Sequence, residues 1–288
     1  MSSHVEMVFW DVQHGHATYI KSPNNRHVII DLGIGDYSGR DTQFSPLRHL
    51  KNNYGVQQLD YVVITHPHLD HIDDILNFEL LRPKVLCRPG EITNAEVMEG
   101  AREQDKEKLS KYCEINDRYI YKIEGGTDDP NIPENYGAMK IHTFLPNTCS
   151  HNNINNYSII TVIEYAEIKV VVPGDNESCS FDELLKLENF KTAIKNADIL
   201  LAPHHGRESG YNNDFVNLVN PRLTVVSDGR FCDTSANCRY SQKSRGWNVY
   251  KTNGRSIERK CLTTNSDGEV YIKFGYNDDK SRFLSVQI

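Results

Sequence analysis

Apolar and polar residues along this chain fall into short β-type runs separated by turn-prone segments, with helix-type periods between them. Residues Val5 to Ile20 carry β-formers in Met7-Val8-Phe9-Trp10 and Ala17-Thr18-Tyr19-Ile20, parted by the tight turn Asp11-Val12-Gln13-His14-Gly15-His16. Asn24-Asn25 predicts a hairpin turn. His27-Val28-Ile29-Ile30-Asp31-Leu32-Gly33 is the next strand and ends on a carboxylate and a glycine. A loop from Gly35 to Phe44 leads to a helix near Pro46 to Tyr54. The β-branched run Tyr61 to Thr65 reads as a buried strand, followed by a short helix around Asp73 to Leu80, with Asp73 and Asp74 capping that helix.

The stretch from Pro89 to Asn135 differs. Glu96 to Tyr112 predicts one charged amphipathic helix with Val97, Ala101 and Leu109 on one side, and Gly125 to Pro130 is loop-like. We read residues 90–135 as a helical insertion within a single domain spanning residues 1–288. Strand patterns resume at Met139 to Leu145, Tyr157 to Tyr165 and Ile168 to Val172, the last two joined by the turn Ala166-Glu167. A helix at Phe181 to Phe190 precedes the strands Asp198 to Pro203 and Leu223 to Ser227. Further β-rich runs lie around Val249 and Val270.

Composition narrows the class. With 288 residues, 38% hydrophobic and 25% charged, the chain can bury a sizeable core and keep a polar surface. No apolar stretch reaches membrane-spanning length, and the N-terminus lacks the basic and apolar regions of a signal peptide. A cytoplasmic location without membrane association is therefore expected. The seven cysteines are scattered and form no CxxC pair, so reduced thiols are expected. A net charge of −7 argues against a broad nucleic-acid-coating surface. It leaves a nuclease open, because bound metal supplies positive charge where a phosphate must sit.

The strongest chemical signal lies at the end of the Tyr61 strand. His66, His68, Asp70 and His71 put three imidazoles and a carboxylate within six residues. Imidazole nitrogen and carboxylate oxygen are the ligands of catalytic zinc, and they suit manganese or iron nearly as well. Asp175 follows another apolar strand, His204-His205-Gly206 follows a third, and Asp31 ends a fourth. Strands of one sheet end on one edge, so these distant residues can converge.

The pattern H-x-H-x-D-H, then Gly174-Asp175 after a strand, then a strand ending in histidine, resembles the metallo-β-lactamase superfamily. Five further segments narrow the likeness: Phe9 to Ala17, Asp31-Leu32-Gly33, Asn155 to Ser158, Val172 to Asp175 and Pro203 to Gly206. They resemble the hydrolase domain of ComEC competence proteins and its stand-alone relatives. The resemblance implies an α/β fold, a four-layer αββα sandwich with two divalent metal ions at one edge, zinc or manganese, with iron also compatible. By match to the motif, His66 and His68 would hold one ion, Asp70 and His71 the second, and Asp175 both. His204 or His205 would complete the second site. The first ion's usual third histidine has no clear match, though His151 lies in the right part of the chain.

The implied activity is hydrolysis of a phosphodiester in DNA, RNA or a nucleotide by a metal-activated hydroxide. Asp70, with whichever of His204 and His205 is not a ligand, would serve catalysis. Asp31 would orient a ligand histidine, and His14, His16, Asn156, Ser158 and Arg207 would border the site or contact substrate. Relatives often carry a histidine after the Ser-x-Gly strand end, and here Asn237 to Gln242 lacks it. Two alternatives stay open: a hydrolase of carboxylic or thio-esters, lactones or lactams, and a non-catalytic binding module. Protein partners in a multi-component system are a further expectation from family company.

Overall fold

The structure is a computed structural model that describes residues 3–35, 43–149, 153–229 and 236–288. Its strands are β1 (His4–Phe9), β2 (Thr18–Lys21), β3 (His27–Ile30), β4 (Tyr61–Val63), β5 (Val85–Cys87), β6 (Lys140–Phe144), β7 (Ile160–Tyr165), β8 (Ile168–Val172), β9 (Ile199–Leu201), β10 (Leu223–Val226), β11 (Trp247–Tyr250), β12 (Ser256–Arg259), β13 (Cys261–Thr263), β14 (Val270–Tyr276) and β15 (Arg282–Gln287). Among the described residues they form a nine-stranded sheet, ordered β12-β11-β15-β14-β1-β2-β3-β4-β5, and a six-stranded sheet, ordered β13-β10-β9-β8-β7-β6. Strands β3, β4 and β5 run parallel in the first sheet, and β8, β9, β10 and β13 run parallel in the second.

Alternation along each strand explains the layering. In β1, Val5, Met7 and Phe9 face the space between the sheets, whereas Val8 faces the helices outside. In β8, Val170 and Val172 join the same inter-sheet core, and Val171 packs outward. The outer face of the larger sheet is covered by α1 (Pro46–Asn53), α2 (Leu69–Ile72), a 3₁₀ turn (Ile75–Leu81), α3 (Asn94–Met98) and α4 (Lys106–Arg118). The outer face of the smaller sheet is covered by α5 (Ser178–Leu184), α6 (Glu188–Ile194), α7 (Asn213–Val219) and α8 (Asn237–Lys243). The result is the expected αββα sandwich. Among the described residues no helix is long and apolar enough to cross a membrane.

Several local expectations need correction. The helix foreseen over Glu96 to Tyr112 is broken, because Gly100 takes a left-handed φ of 69° and Arg102 is extended. Its two parts send Val97, Leu109, Tyr112 and Ile115 into the helix-layer core. The Phe181 to Phe190 helix is likewise two helices, parted at an extended Leu187. Asp74 does not cap the helix that follows it. Its carboxylate turns back to α1, where it accepts from the Leu47 amide at 2.8 Å and from Ser45 Oγ at 2.7 Å. Asp73 instead pairs with Lys108.

The expectation of reduced cysteines fails at one pair. Cys149 and Cys179 form a disulfide with Cα atoms 5.9 Å apart. The fold lays the segment after β6 against α5, whose Glu183 carboxylate also accepts the amides of Asn147 and Cys149 at 2.6 and 2.8 Å. Cys87, Cys113, Cys238 and Cys261 are free.

Candidate metal centre

The carboxyl ends of parallel strands β3, β4, β8, β9 and β10 open on one edge of the sandwich, where ligands of α/β sheets are usually held. Each end delivers one polar segment: Asp31 from β3, Thr65 and His66 from β4, Asp175 from β8, His204-His205 from β9 and Ser227 from β10. Helix α2 starts directly after His68 and presents Asp70 and His71 in a single turn.

The residues meet. His71 Nε2 lies 3.2 Å from Asp175 Oδ1 and 3.3 Å from His205 Nε2. His205 Nε2 lies 3.3 Å from both Asp175 Oδ2 and Asp70 Oδ2. Asp70, His71, Asp175 and His205 thus offer four ligand atoms within 4.8 Å of one another. His66 Nε2 reaches the other side of the cluster, 3.9 Å from Asp175 Oδ2 and 3.0 Å from His68 Nδ1.

Hydrogen bonds on the far side of each ring decide which nitrogen faces the cluster. His71 Nδ1 donates to Asp31 Oδ2 at 2.7 Å, and His205 Nδ1 donates to the Ser227 carbonyl at 2.9 Å. Thr65 Oγ1 gives its proton to Asp31 Oδ2 at 2.8 Å, so it can only accept from His66 Nδ1 at 3.2 Å. Ser158 Oγ, which accepts the Asp175 amide at 3.0 Å, stands 3.2 Å from the same nitrogen. All three rings are therefore fixed with Nδ1 protonated and the Nε2 lone pair inward, the arrangement that orients metal-bound histidines.

Lone pairs and carboxylate oxygens at such distances repel unless cations or protons lie between them. Two groups take protons when no ion is present. Burial works to lower the His205 pKa, but Asp175 and Asp70 outweigh it and push it up to about 10. His71 is likewise raised against its burial, by Asp175, Asp31 and Asp70. In return, Asp175 and Asp70 are held well below the usual carboxylate range, against burial, by the His205 and His71 rings. Burial lowers His66 and His68, which stay neutral. Neutral imidazoles and ionised carboxylates are the forms that bind divalent metal, so this donor set fits zinc, manganese or iron. Asn155 stands beside His68, its buried side chain in reach of that ring.

The remaining candidates separate into distinct places. His14 stands at the mouth, with Nε2 3.4 Å from Asp70 Oδ2 and its ring 4.7 Å from His205. His16 is buried beneath the site, donating from Nδ1 to Asp31 at 2.9 Å, with Nε2 2.7 Å from Thr18 Oγ1. Asn156 is not brought into the cluster. Its carbonyl oxygen accepts the Glu177 amide at 3.0 Å and Ser180 Oγ at 2.8 Å, tying down the start of α5. His204 lies beside the four-residue cluster, with Nε2 3.9 Å from Asp175 Oδ2, and Arg207 Nη1 donates to that Nε2 at 3.1 Å. His151 lies outside the described residues.

Backbone conformation separates the two adjacent histidines. His204 and His205 both take left-handed φ values, 48° and 52°. Such strain costs of order 1–3 kcal/mol per residue and is usually kept for function. It turns His205 inward and His204 to the rim. Three contributors went unrecognised in the sequence: Thr65, which joins Asp31 to His66; the Ser227 carbonyl; and Asn155. The only sequence signal for Thr65 and Ser227 was their place at strand ends.

Comparison with known proteins shows what this chain is similar to. A model of the metallo-β-lactamase superfamily matches residues 10–227. ComE operon protein 3 of Bacillus subtilis is 23% identical over 243 residues, covering 80% of this chain and 29% of that protein. A UPF0173 metal-dependent hydrolase of Saccharolobus solfataricus is 34% identical over 70 residues, covering 24% of this chain and 27% of that one. These matches span less than a third of either relative's own length. Among solved structures, Zn(2+)-bound PqqB from Methylobacterium extorquens superposes with a TM-score of 0.47 at 12% identity, covering 92% of this chain and 98% of that one. The family match extends over most of the sandwich and takes in every described ligand-type residue of the cluster: the chain belongs to the metallo-β-lactamase superfamily.

Proposed function

We propose that this chain is a metal-dependent hydrolase, a phosphodiesterase or nuclease acting on DNA, RNA or a nucleotide in the cytoplasm. In this reading His66 Nε2 and His68 Nδ1 would hold one divalent ion, and Asp70, His71 and His205 would hold a second, with the Asp175 carboxylate available to both. The observation that carries the reading is the reach of the Asp175 carboxylate, 3.9 Å from His66 on one side and 3.2 Å from His71 on the other. When bound, the ion pair supplies acidified solvent and withdraws charge from the scissile group.

The chain's own residues do the rest. Asp31 and Ser227 lock the His71 and His205 rings through their Nδ1 protons. Asp70 Oδ2, between His205 and His14, accepts a hydrogen bond from the attacking water and so orients it. His14, on the open side, meets the substrate. A phosphodiester suits this centre because its two non-bridging oxygens share one charge, which cations on two sides can bind. The resemblance to ComEC hydrolase domains favours the same substrate class.

The test is a substrate panel of linear DNA, RNA, cyclic nucleotides, bis-(p-nitrophenyl) phosphate and lactones, run with zinc and with manganese. Purified protein should carry at least one zinc, manganese or iron per chain. His68→Ala and Asp175→Ala should abolish phosphodiester hydrolysis while keeping the cooperative unfolding transition. Turnover of lactones or esters without phosphodiesters would replace this reading with that of an ester or lactone hydrolase. A metal-free, inactive protein would leave a binding module.

A further inference from the structure

Arg207 is a half-buried cation at the rim of the metal centre. Among the described residues no carboxylate stands within salt-bridge distance of it, and its buried Nε has no hydrogen-bond partner. Its Nη1 donates to His204 Nε2 at 3.1 Å. Arginine cannot accept, so that His204 nitrogen must spend its lone pair on the guanidinium. The other nitrogen, Nδ1, then carries the proton and donates to Ser209 Oγ at 2.9 Å, with Glu177 Oε1 3.4 Å away. The ring that sequence matching offers as a ligand is thus committed to Arg207.

The backbone makes this division of labour durable. His204 and His205 are consecutive left-handed residues, and Gly206 continues the bend with φ 76°. The His204 amide is fastened to the Gly174 carbonyl at 3.2 Å, next to Asp175. Consecutive side chains therefore leave in different directions, one into the cluster and one along its rim. His204 Nε2 is 3.9 Å from Asp175 Oδ2, so the guanidinium and the Asp175 carboxylate approach the same ring nitrogen.

The geometry points to a substrate-binding arm made of Arg207 and the His204 ring that orients it, which takes the second anionic oxygen of a phosphodiester whose first lies on the ions. This deepens the phosphodiesterase reading and rests on it. A guanidinium fork matches phosphate oxygens, whereas a neutral ester or lactone has no second anionic oxygen to offer. The chain's net charge of −7 makes such a local cation the more necessary, because the surface as a whole does not attract anions. His204 is on this account a positioning residue and not a metal ligand.

The experiment compares Arg207→Ala, Arg207→Lys, His204→Gln and His205→Ala with the parent chain. Three quantities are read: metal content, inhibition by inorganic phosphate, and KM against kcat for bis-(p-nitrophenyl) phosphate and for a neutral p-nitrophenyl ester. Loss of one charge-assisted bond corresponds to about tenfold in affinity. Arg207→Ala should raise the phosphodiester KM and weaken phosphate inhibition by about that factor. Its metal content and any neutral-ester KM should not change, and Arg207→Lys should fall between it and the parent. His204→Gln should keep its metal, and His205→Ala should lose it. Unchanged phosphate inhibition in Arg207→Ala would overturn the arm, as would loss of metal in His204→Gln equal to that in His205→Ala. If the parent cleaves no phosphodiester yet binds phosphate through Arg207, the function reading fails and the anion arm stands.

Discussion

Asp31→Asn probes the support beneath the metal centre. The Asp31 carboxylate is fully buried and accepts four hydrogen bonds. Oδ1 takes the Thr65 amide at 2.7 Å. Oδ2 takes Thr65 Oγ1 at 2.8 Å, His71 Nδ1 at 2.7 Å and His16 Nδ1 at 2.9 Å. Asparagine keeps one acceptor oxygen and replaces the other with a donor. Its best orientation keeps the oxygen toward the three donors at Oδ2 and sets its NH₂ against the Thr65 amide. One hydrogen bond to a charged group is lost, worth about 1.5–3 kcal/mol, and the remaining ones lose their charge assistance. The expected destabilisation of the metal-free chain at pH 7 is therefore about 3 kcal/mol. The backbone adds little, because Asp31 has φ 59° and asparagine tolerates that region.

The pH dependence has a definite sign. Burial works to raise the Asp31 pKa, but His71 and His16 hold it below its ordinary value. Its contribution is thus present above the unfolded carboxyl pKa, about 3.9, and is lost as pH falls through the lower folded value. Urea unfolding of both proteins should show the full gap at pH 7 and a shrinking gap below pH about 4. Metal affinity should also fall by about 10–100-fold, because His71 loses the acceptor that fixes its proton. A stability loss under about 1 kcal/mol at pH 7 with unchanged metal affinity would refute the reasoning.

Other predictions follow from the same geometry. Metal affinity should rise by one to two decades per pH unit between pH about 7 and 9, since binding displaces protons from His205 and His71, and should level off as pH passes the His205 pKa of about 10; a chelator-buffered zinc titration that gave a flat profile would contradict this. Gly174→Ala should destabilise by about 3 kcal/mol and depress activity, because a Cβ there would lie 2.8 Å from Ser158 Cβ and 2.9 Å from Thr65 Cβ on a backbone with φ 59°. A small loss in urea unfolding would show that this turn can yield. Cys179→Ser should cost about 2–4 kcal/mol under oxidising conditions and nothing in excess reductant, since the Cys149–Cys179 bond closes a loop with a sequence separation of 30. Equal stability of parent and variant without reductant would argue against the bond.

Much of the sandwich was readable in the chain because alternation is a local property. Val170, Val171 and Val172 need only their own order to face opposite sides of a sheet. The pattern H-x-H-x-D-H was equally plain, since one short loop and the first turn of α2 carry it. Interruptions were harder to read. Glu96 to Tyr112 has the composition of a helix, and only the left-handed bend at Gly100 reveals two pieces. Nothing near Asp74 announces that its partners are Ser45 and Leu47, which precede it by nearly 30 residues.

By its sequence alone the chain determined its strand-forming runs, its ligand chemistry and the strand ends that would carry that chemistry. Tertiary structure decided which groups share the centre. It set His205 inward and His204 against Arg207, put His14 at the mouth and His16 beneath Asp31, and joined Cys149 to Cys179. The physical reason is range: side-chain period and turn propensity act over a few residues. A donor's partner is chosen by whichever strand packing brings within 3 Å or so, however far away it lies along the chain.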